Sequence, residues 1–250
     1  MRSPETQIRP GDPRLTRLAV AAWVAMAISL VLIFFVAREA DASMGGQLQR
    51  IFYVHVPAAW VAYLSFAILF VASIAYLRTS ARRWDLLAHA AGELGVLFTT
   101  LVLFTGPIWA RPVWGTWWQW DARLTSALVM WLTYLGYLFL RSLAVDPARE
   151  GRLAAVVGIV GFINVPIVHF SVRWWRTLHP SGPTPANPTE GSGLGAPEMA
   201  AFFGALIAFT LLFTWLLALR VRIGRLEDLT ARAGDAGPAP RGATERPVTT

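Results

Sequence analysis

Val56-Pro-Ala-Ala-Trp-Val-Ala-Tyr-Leu-Ser-Phe-Ala-Ile-Leu-Phe-Val-Ala-Ser-Ile-Ala-Tyr-Leu77 runs for 22 residues without a charged side chain. A helix needs roughly 20 mostly apolar residues to cross the hydrocarbon core of a bilayer, so this run is long enough. Lipid offers no partner to an open backbone N–H or C=O, which requires the run to be helical rather than a lone strand. Five further stretches read the same way: 18–37, 86–105, 124–140, 153–170 and 199–219. They predict an all-α, polytopic membrane protein with six transmembrane helices. The fourth and fifth runs are the shortest, and their ends are the least sharply marked. The first run has a weak cleavage-like Ala40-Asp41-Ala42 behind it. It is longer than the roughly 7–15 apolar residues of a signal peptide and reads as a retained anchor.

Composition agrees with lipid as the main solvent. Of the 250 residues 55% are hydrophobic and 15% charged, against about 25% charged in soluble domains. The net charge is +7, and all 22 basic residues are arginine. These lie in short clusters between apolar runs and form no basic face, so their partner is membrane lipid and not nucleic acid. With no cysteine, disulfides, thiol chemistry and the C-x-x-C-H attachment site of a c-type cytochrome are excluded.

Arginine counts set the orientation. The N-terminal segment, the loops after helices two and four, and the C-terminal end hold sixteen arginines together, while the opposite side holds six. The positive-inside rule therefore predicts that both termini are cytoplasmic. The chain divides into a cytoplasmic segment over 1–17, a six-helix membrane domain over 18–222 and a Gly-, Ala-, Pro- and Thr-rich tail over 223–250, expected to be disordered. Residues 180–197 read as a Pro/Gly/Ser loop on the outer side.

In this frame the unusual residues fall at the outer ends of the helices. Three of the four histidines, His55, His169 and His179, lie there, and the loop between helices three and four carries Trp109, Trp114, Trp117, Trp118 and Trp120, followed by Asp121. An interfacial aromatic belt explains one or two indoles per helix end. Four within seven residues beside Gly115 fit a short amphipathic helix presenting a flat aromatic platform to a planar apolar ligand. One histidine at a helix end is ordinarily an interfacial polar residue; three beside such a platform suggest metal ligation. Imidazole serves iron, zinc and copper alike. The platform favours heme, which must bury its ring and take axial nitrogens. Arg111, Arg123, Arg173 and Arg176 would then be available to pair with propionates. Asp121 suits either a place at the ligand or the N-cap of helix four, and the two are compatible.

Three strings carry a resemblance. Arg50-Ile-Phe-Tyr-Val-His-Val-Pro-Ala-Ala-Trp60, Trp114-Gly-Thr-Trp-Trp-Gln-Trp-Asp-Ala-Arg-Leu-Thr125 and Asn164-Val-Pro-Ile-Val-His-Phe-Ser-Val-Arg-Trp-Trp-Arg-Thr-Leu-His179 resemble, in order, the WWD-domain family of cytochrome c maturation called CcmC, or heme exporter protein C. The similarity covers about 15–222. It implies a bacterial inner-membrane protein that holds heme b noncovalently at its periplasmic face and delivers it to the heme chaperone CcmE. The implied partners are the ABC-transporter pair CcmA and CcmB and the small subunit CcmD. By residue match, His55 and His179 correspond to the axial ligands of the iron, with His169 as second choice. Trp114, Trp117, Trp118, Trp120 and Asp121, with Arg123, correspond to the heme-presenting segment.

No nucleophile or acid–base pair is evident, so a binding and delivery protein is expected rather than a catalyst. The alternatives are a heme permease, a WWD-type lyase acting on apocytochrome c, and a non-heme metal or quinone protein. A permease calls for polar residues or broken helices at the bilayer midplane. His89 and Glu93 share a helical face in the third run and, near the cytoplasmic end, read as helix-packing or snorkelling groups rather than an ion pathway. Pro57, Pro107 and Pro166 stand where they can bend or end the outer parts of helices.

Overall fold

The computed structural model describes residues 12–40, 45–143, 147–179 and 194–235. Seven α-helices occur among them: α1 (Pro13–Val31), α2 (Phe52–Thr79), α3 (Arg82–Trp114), α4 (Ala122–Ser142), α5 (Pro147–Phe162), α6 (Asn164–Trp174) and α7 (Ala196–Asp235). A π-helical turn (Leu32–Val36) extends α1, and a 3-10 turn (Gly46–Ile51) leads into α2. No strand occurs among the described residues. Six helical spans are long and apolar enough to cross a membrane, with α5 and α6 together making the fifth, as expected of a multi-pass membrane protein.

The break in the fifth span has a local cause. Pro166 lacks the N–H that would bond the Phe162 carbonyl, and its ring would collide with that carbonyl in a continuous helix. The chain turns at Ile163, whose N–H bonds back to Val160 O at 3.2 Å, and the Asn164 side-chain amide donates to Ser126 O on α4 at 2.9 Å. By contrast, α2 runs through Pro57 and α3 through Pro107 and Pro112 without interruption.

Helices α2 and α3 form the centre and pack most extensively on each other; α5 lies on α2, α4 on α3, and α1 packs on α7 at the edge. Close approach is possible because small residues line the seam. A Cβ at Gly92 would lie 2.7 Å from a Tyr137 ring carbon, and one at Gly95 would collide with the Phe66 ring. Phe66 in turn stacks on Tyr134 of α4 at 3.8 Å between ring centroids. A second apolar cluster joins Phe98 of α3 to Phe209 and Phe213 of α7.

Because successive spans alternate in direction, the ends of α1, α3 and α6 gather with the starts of α2, α4 and α7. Arg38, after the π-helical turn, binds Glu198 at the start of α7 through its backbone N–H (3.1 Å), Nε (3.1 Å) and Nη2 (3.2 Å). The opposite end holds an ion-pair network. Asp85 accepts from Arg141 at 2.7 and 3.0 Å with both side chains nearly buried, and Glu93 accepts from Arg220 at 2.5 and 3.0 Å. His89 Nε2 lies 3.4 Å from Glu93, one turn on in the same helix.

Several boundaries differ from the sequence expectation: α3 runs past 105 to Trp114, so that Trp109 and Trp114 belong to the helix and not to the loop after it. Helix α1 starts at Pro13, ahead of 18, with Asp12 as its N-cap accepting from Arg14 N–H at 2.9 Å. Helix α7 does not stop before 223 but continues to Asp235, and Arg82 fastens this extension through two bonds to Asp228, at 2.9 and 2.8 Å. The Pro and Gly that made the tail look disordered are concentrated beyond 233, whereas Arg220 to Asp235 contains no proline and is rich in good helix formers. The part of the expected tail at 236–250, and most of the expected 180–197 loop, lie outside the described residues. The Trp-rich connection is not an amphipathic helix either. Gly115 (φ 74°) ends α3 in the left-handed region with its N–H on Arg111 O at 3.0 Å, and Asp121 already caps α4, so too few residues remain for a stable helix.

Candidate functional site

His55 is held in the first turn of α2 by two neighbours on α3. Its Nδ1 lies 2.8 Å from Thr105 Oγ1, and its Cε1 edge rests against Gly106, where a Cβ would approach to 3.4 Å. Just before α2, Gln49 accepts the Trp109 indole N–H at 2.8 Å, which fixes the entry to α2 against the last turns of α3.

His179 arrives from the irregular segment after α6, with its backbone N–H on Thr177 Oγ1 at 2.9 Å. Its imidazole stands 6.5 Å from that of His55, centroid to centroid, with 34° between planes. The Trp114 ring meets His179 edge-on at 6.2 Å and Trp109 edge-on at 5.0 Å. Three of the expected residues, His55, Trp114 and His179, therefore form one cluster at one end of the bundle.

Beyond Gly115 the chain exposes Trp117 and Trp120, 59% and 75% accessible, while Trp118 is tucked in edge-on to Trp120 at 5.6 Å. Asp121 is the N-cap of α4, its Oδ1 accepting from Leu124 N–H at 2.8 Å. Its Oδ2 and the Trp118 Nε1 are both buried without a hydrogen-bond partner. An unpaired buried donor and acceptor in so short a segment are costly unless a partner satisfies them. Arg123 donates to the His169 backbone oxygen at 3.3 Å, tying the start of α4 to α6. The exposed His169 ring has different company from the other two histidines, with Tyr63 at 6.2 Å and Phe170 at 4.9 Å.

Two imidazoles binding one metal from opposite sides, each nitrogen about 2 Å from it, hold their ring centres roughly 6 Å apart. The observed 6.5 Å is compatible with that arrangement. Among the described residues no group of three or more His, Cys, Asp or Glu comes together to hold a metal. Two imidazoles at such a separation leave the other positions of a metal to ligands that it brings with it, as iron in a porphyrin does.

Comparison with known sequences agrees with the motifs. The profile of the heme exporter protein C family, CcmC, matches residues 1–233. The chain belongs to that family. The heme exporter protein C of Bradyrhizobium diazoefficiens is 40% identical over 200 residues, 79% of this chain and 75% of the relative. That of Escherichia coli K12 is 37% identical over 205 residues, 82% of this chain and 81% of the relative. That of Haemophilus influenzae is 33% identical over 225 residues, 90% of each. Membership in the heme exporter protein C family bears out the resemblance drawn from the three motifs. It leaves Thr105, Gln49 and Trp109 as contributors to the His55 surroundings that the motifs did not single out. Only Trp109 carried a signal, as the first indole of the Trp-rich stretch; Thr105 looks like any hydroxyl in an apolar run.

Proposed function

We propose that this protein binds heme at the periplasmic face of the bacterial inner membrane and delivers it to the heme chaperone CcmE during cytochrome c maturation, in a complex with CcmA, CcmB and CcmD. Membership in the heme exporter protein C family supports heme handling for cytochrome c maturation as the general role. The observation that carries the finer reading is the His55–His179 separation of 6.5 Å. In this reading the heme, held noncovalently as heme b, is cargo. His55 and His179 supply its axial nitrogens, and Trp114, Trp117, Trp118 and Trp120 bury its ring. Asp121 shapes the start of α4, and Arg123 is a cation available to a propionate. The buried Trp118 Nε1 without a partner suits a donor to cargo.

The periplasmic assignment is supported by the arginine bias, with the His55–His179 pair and the Trp-rich connection at one end of the bundle and the buried Asp85–Arg141 pair at the other. The broken fifth span is the one observation that favours the permease alternative. Its polar group is already engaged by Ser126 O, and Ile163 at the break is 63% exposed on the outside of the bundle, which favours presentation at one face over passage.

The test is chaperone loading in cells. With wild-type protein, CcmE should acquire heme; with Trp117→Ala and Trp118→Ala combined, CcmE loading should fall while the membrane level of the protein stays normal. Normal loading by that variant would reduce the Trp segment to an interfacial anchor.

A further inference from the structure

Thr105 makes two short contacts with its single hydroxyl. Oγ1 lies 2.8 Å from Leu101 O, one turn back in α3, and 2.8 Å from His55 Nδ1. A carbonyl oxygen can only accept, and a threonine hydroxyl has one proton to give. If the proton goes to Leu101 O, Nδ1 must be the donor to Oγ1.

The same arrangement occurs twice more in the bundle, in cases where the direction is fixed. Thr100 donates to Val96 O at 2.8 Å and accepts from Trp131 Nε1 at 2.8 Å. Thr210 donates to Leu206 O at 2.7 Å and accepts from Trp60 Nε1 at 3.3 Å. An indole nitrogen can only donate, so in both the hydroxyl proton is committed to its own helix and the oxygen receives a ring N–H from the neighbouring one. His55 and Thr105 repeat that geometry with imidazole in place of indole.

We infer that Thr105 is a positioning residue for His55, holding the imidazole as the Nδ1–H tautomer so that the Nε2 lone pair is left open for a metal. Gly106 lies beside the Cε1 edge of the same ring, where a Cβ would stand at 3.4 Å. A histidine ligand commonly donates its second ring N–H to such an outer partner, and removing the partner weakens metal affinity about 10- to 100-fold. The inference deepens the heme-binding reading and rests on it for the identity of the metal, but the tautomer itself is a property of the chain without cargo.

Two measurements keep these apart. Nitrogen-15 magnetic resonance of the full-length, histidine-labelled protein without heme, with the His55 signal identified by its loss in His55→Ala, should show a protonated Nδ1 and a bare Nε2. A protonated Nε2 with a bare Nδ1 in the wild-type protein overturns the inference, whatever heme does. In Thr105→Val the Nδ1–H preference should be lost and heme affinity should drop about 10- to 100-fold, with Thr105→Ser restoring both. Unchanged tautomer and affinity in Thr105→Val would also overturn it. An Nδ1–H signal that depends on Thr105, combined with heme binding indifferent to His55→Ala, would uphold the tautomer and reject the ligand assignment instead. Should the valine variant fail to accumulate, the wild-type tautomer decides alone.

Discussion

The ring of Trp114, the last residue of α3, stands edge-on to the imidazole of His179 at 6.2 Å, and so joins the Trp-rich connection to the histidine pair. His179 lies outside regular structure, and this contact is one of the restraints that keeps it opposite His55. Aromatic pairs of this kind contribute about 0.5–1.5 kcal/mol beyond area burial.

Replacing Trp114 by alanine should therefore loosen His179 and lower the heme retained on purification, with membrane insertion unaffected. Pyridine hemochrome content per protein measures this. Trp114→Phe should retain more heme than Trp114→Ala; equal loss in both would mean that indole itself, and not an aromatic edge against His179, is required.

At the far end, Asp85 and Arg141 are almost wholly enclosed, at 3% and 5% side-chain exposure. Removing Asp85 leaves the enclosed Arg141 with Glu150 at the longer distance of 3.6 Å, a penalty of up to about 3–5 kcal/mol. Asp85→Ala should cut thermal stability in detergent sharply. Asp228→Ala, which breaks an outlying pair with the more exposed Arg82, should cost about 1 kcal/mol or less. Melting curves of the two variants side by side decide whether burial ranks them as stated.

The seam between α2 and α3 predicts a steric effect. Gly95→Ala places a Cβ into the Phe66 ring, which is itself clamped against Tyr134. Overpacking a filled core costs about 1–3 kcal/mol. Lowered thermal stability is expected, with partial recovery when Phe66→Leu is added; no recovery would place the strain elsewhere.

Asp228 also fastens the extension of α7. Spin labels placed singly over 224–233 should show helical periodicity in mobility, damped on the side facing Arg82 and released by Arg82→Ala. Uniformly high mobility would restore the disordered tail that composition alone suggests.

How far the sequence could be read follows from what each feature depends on. The six spans were legible because crossing lipid imposes a length and an apolar character that any single run reveals, as 56–77 does. The capping of α4 by Asp121 was legible because an acceptor before a helix satisfies the backbone N–H of its first turn. The continuation of α7 was not, since Arg82 and Asp228 are far apart in the chain and the composition of 223–250 averages a helical part with a Pro-rich one. The site divides the same way. The motifs marked His55, His179 and the indoles, but the crowding of indoles suggests a helix where Gly115 in fact supplies a left-handed stop. Thr105 and Gly106 were invisible because their importance lies in a tertiary contact with α2. His169, in the same motif as His179, has Tyr63 and Phe170 for neighbours, a distinction that sequence order does not contain.

Two imidazoles brought together from α2 and from beyond α6 are expected to hold one iron. The most direct measurement is the optical spectrum of the purified, heme-loaded full-length protein beside His55→Ala, His179→Ala, their double variant and His89→Ala. A six-coordinate, bis-histidine type of spectrum is expected in wild type and in His89→Ala, altered or lost in each single variant at His55 or His179. A double variant with the wild-type spectrum would contradict it.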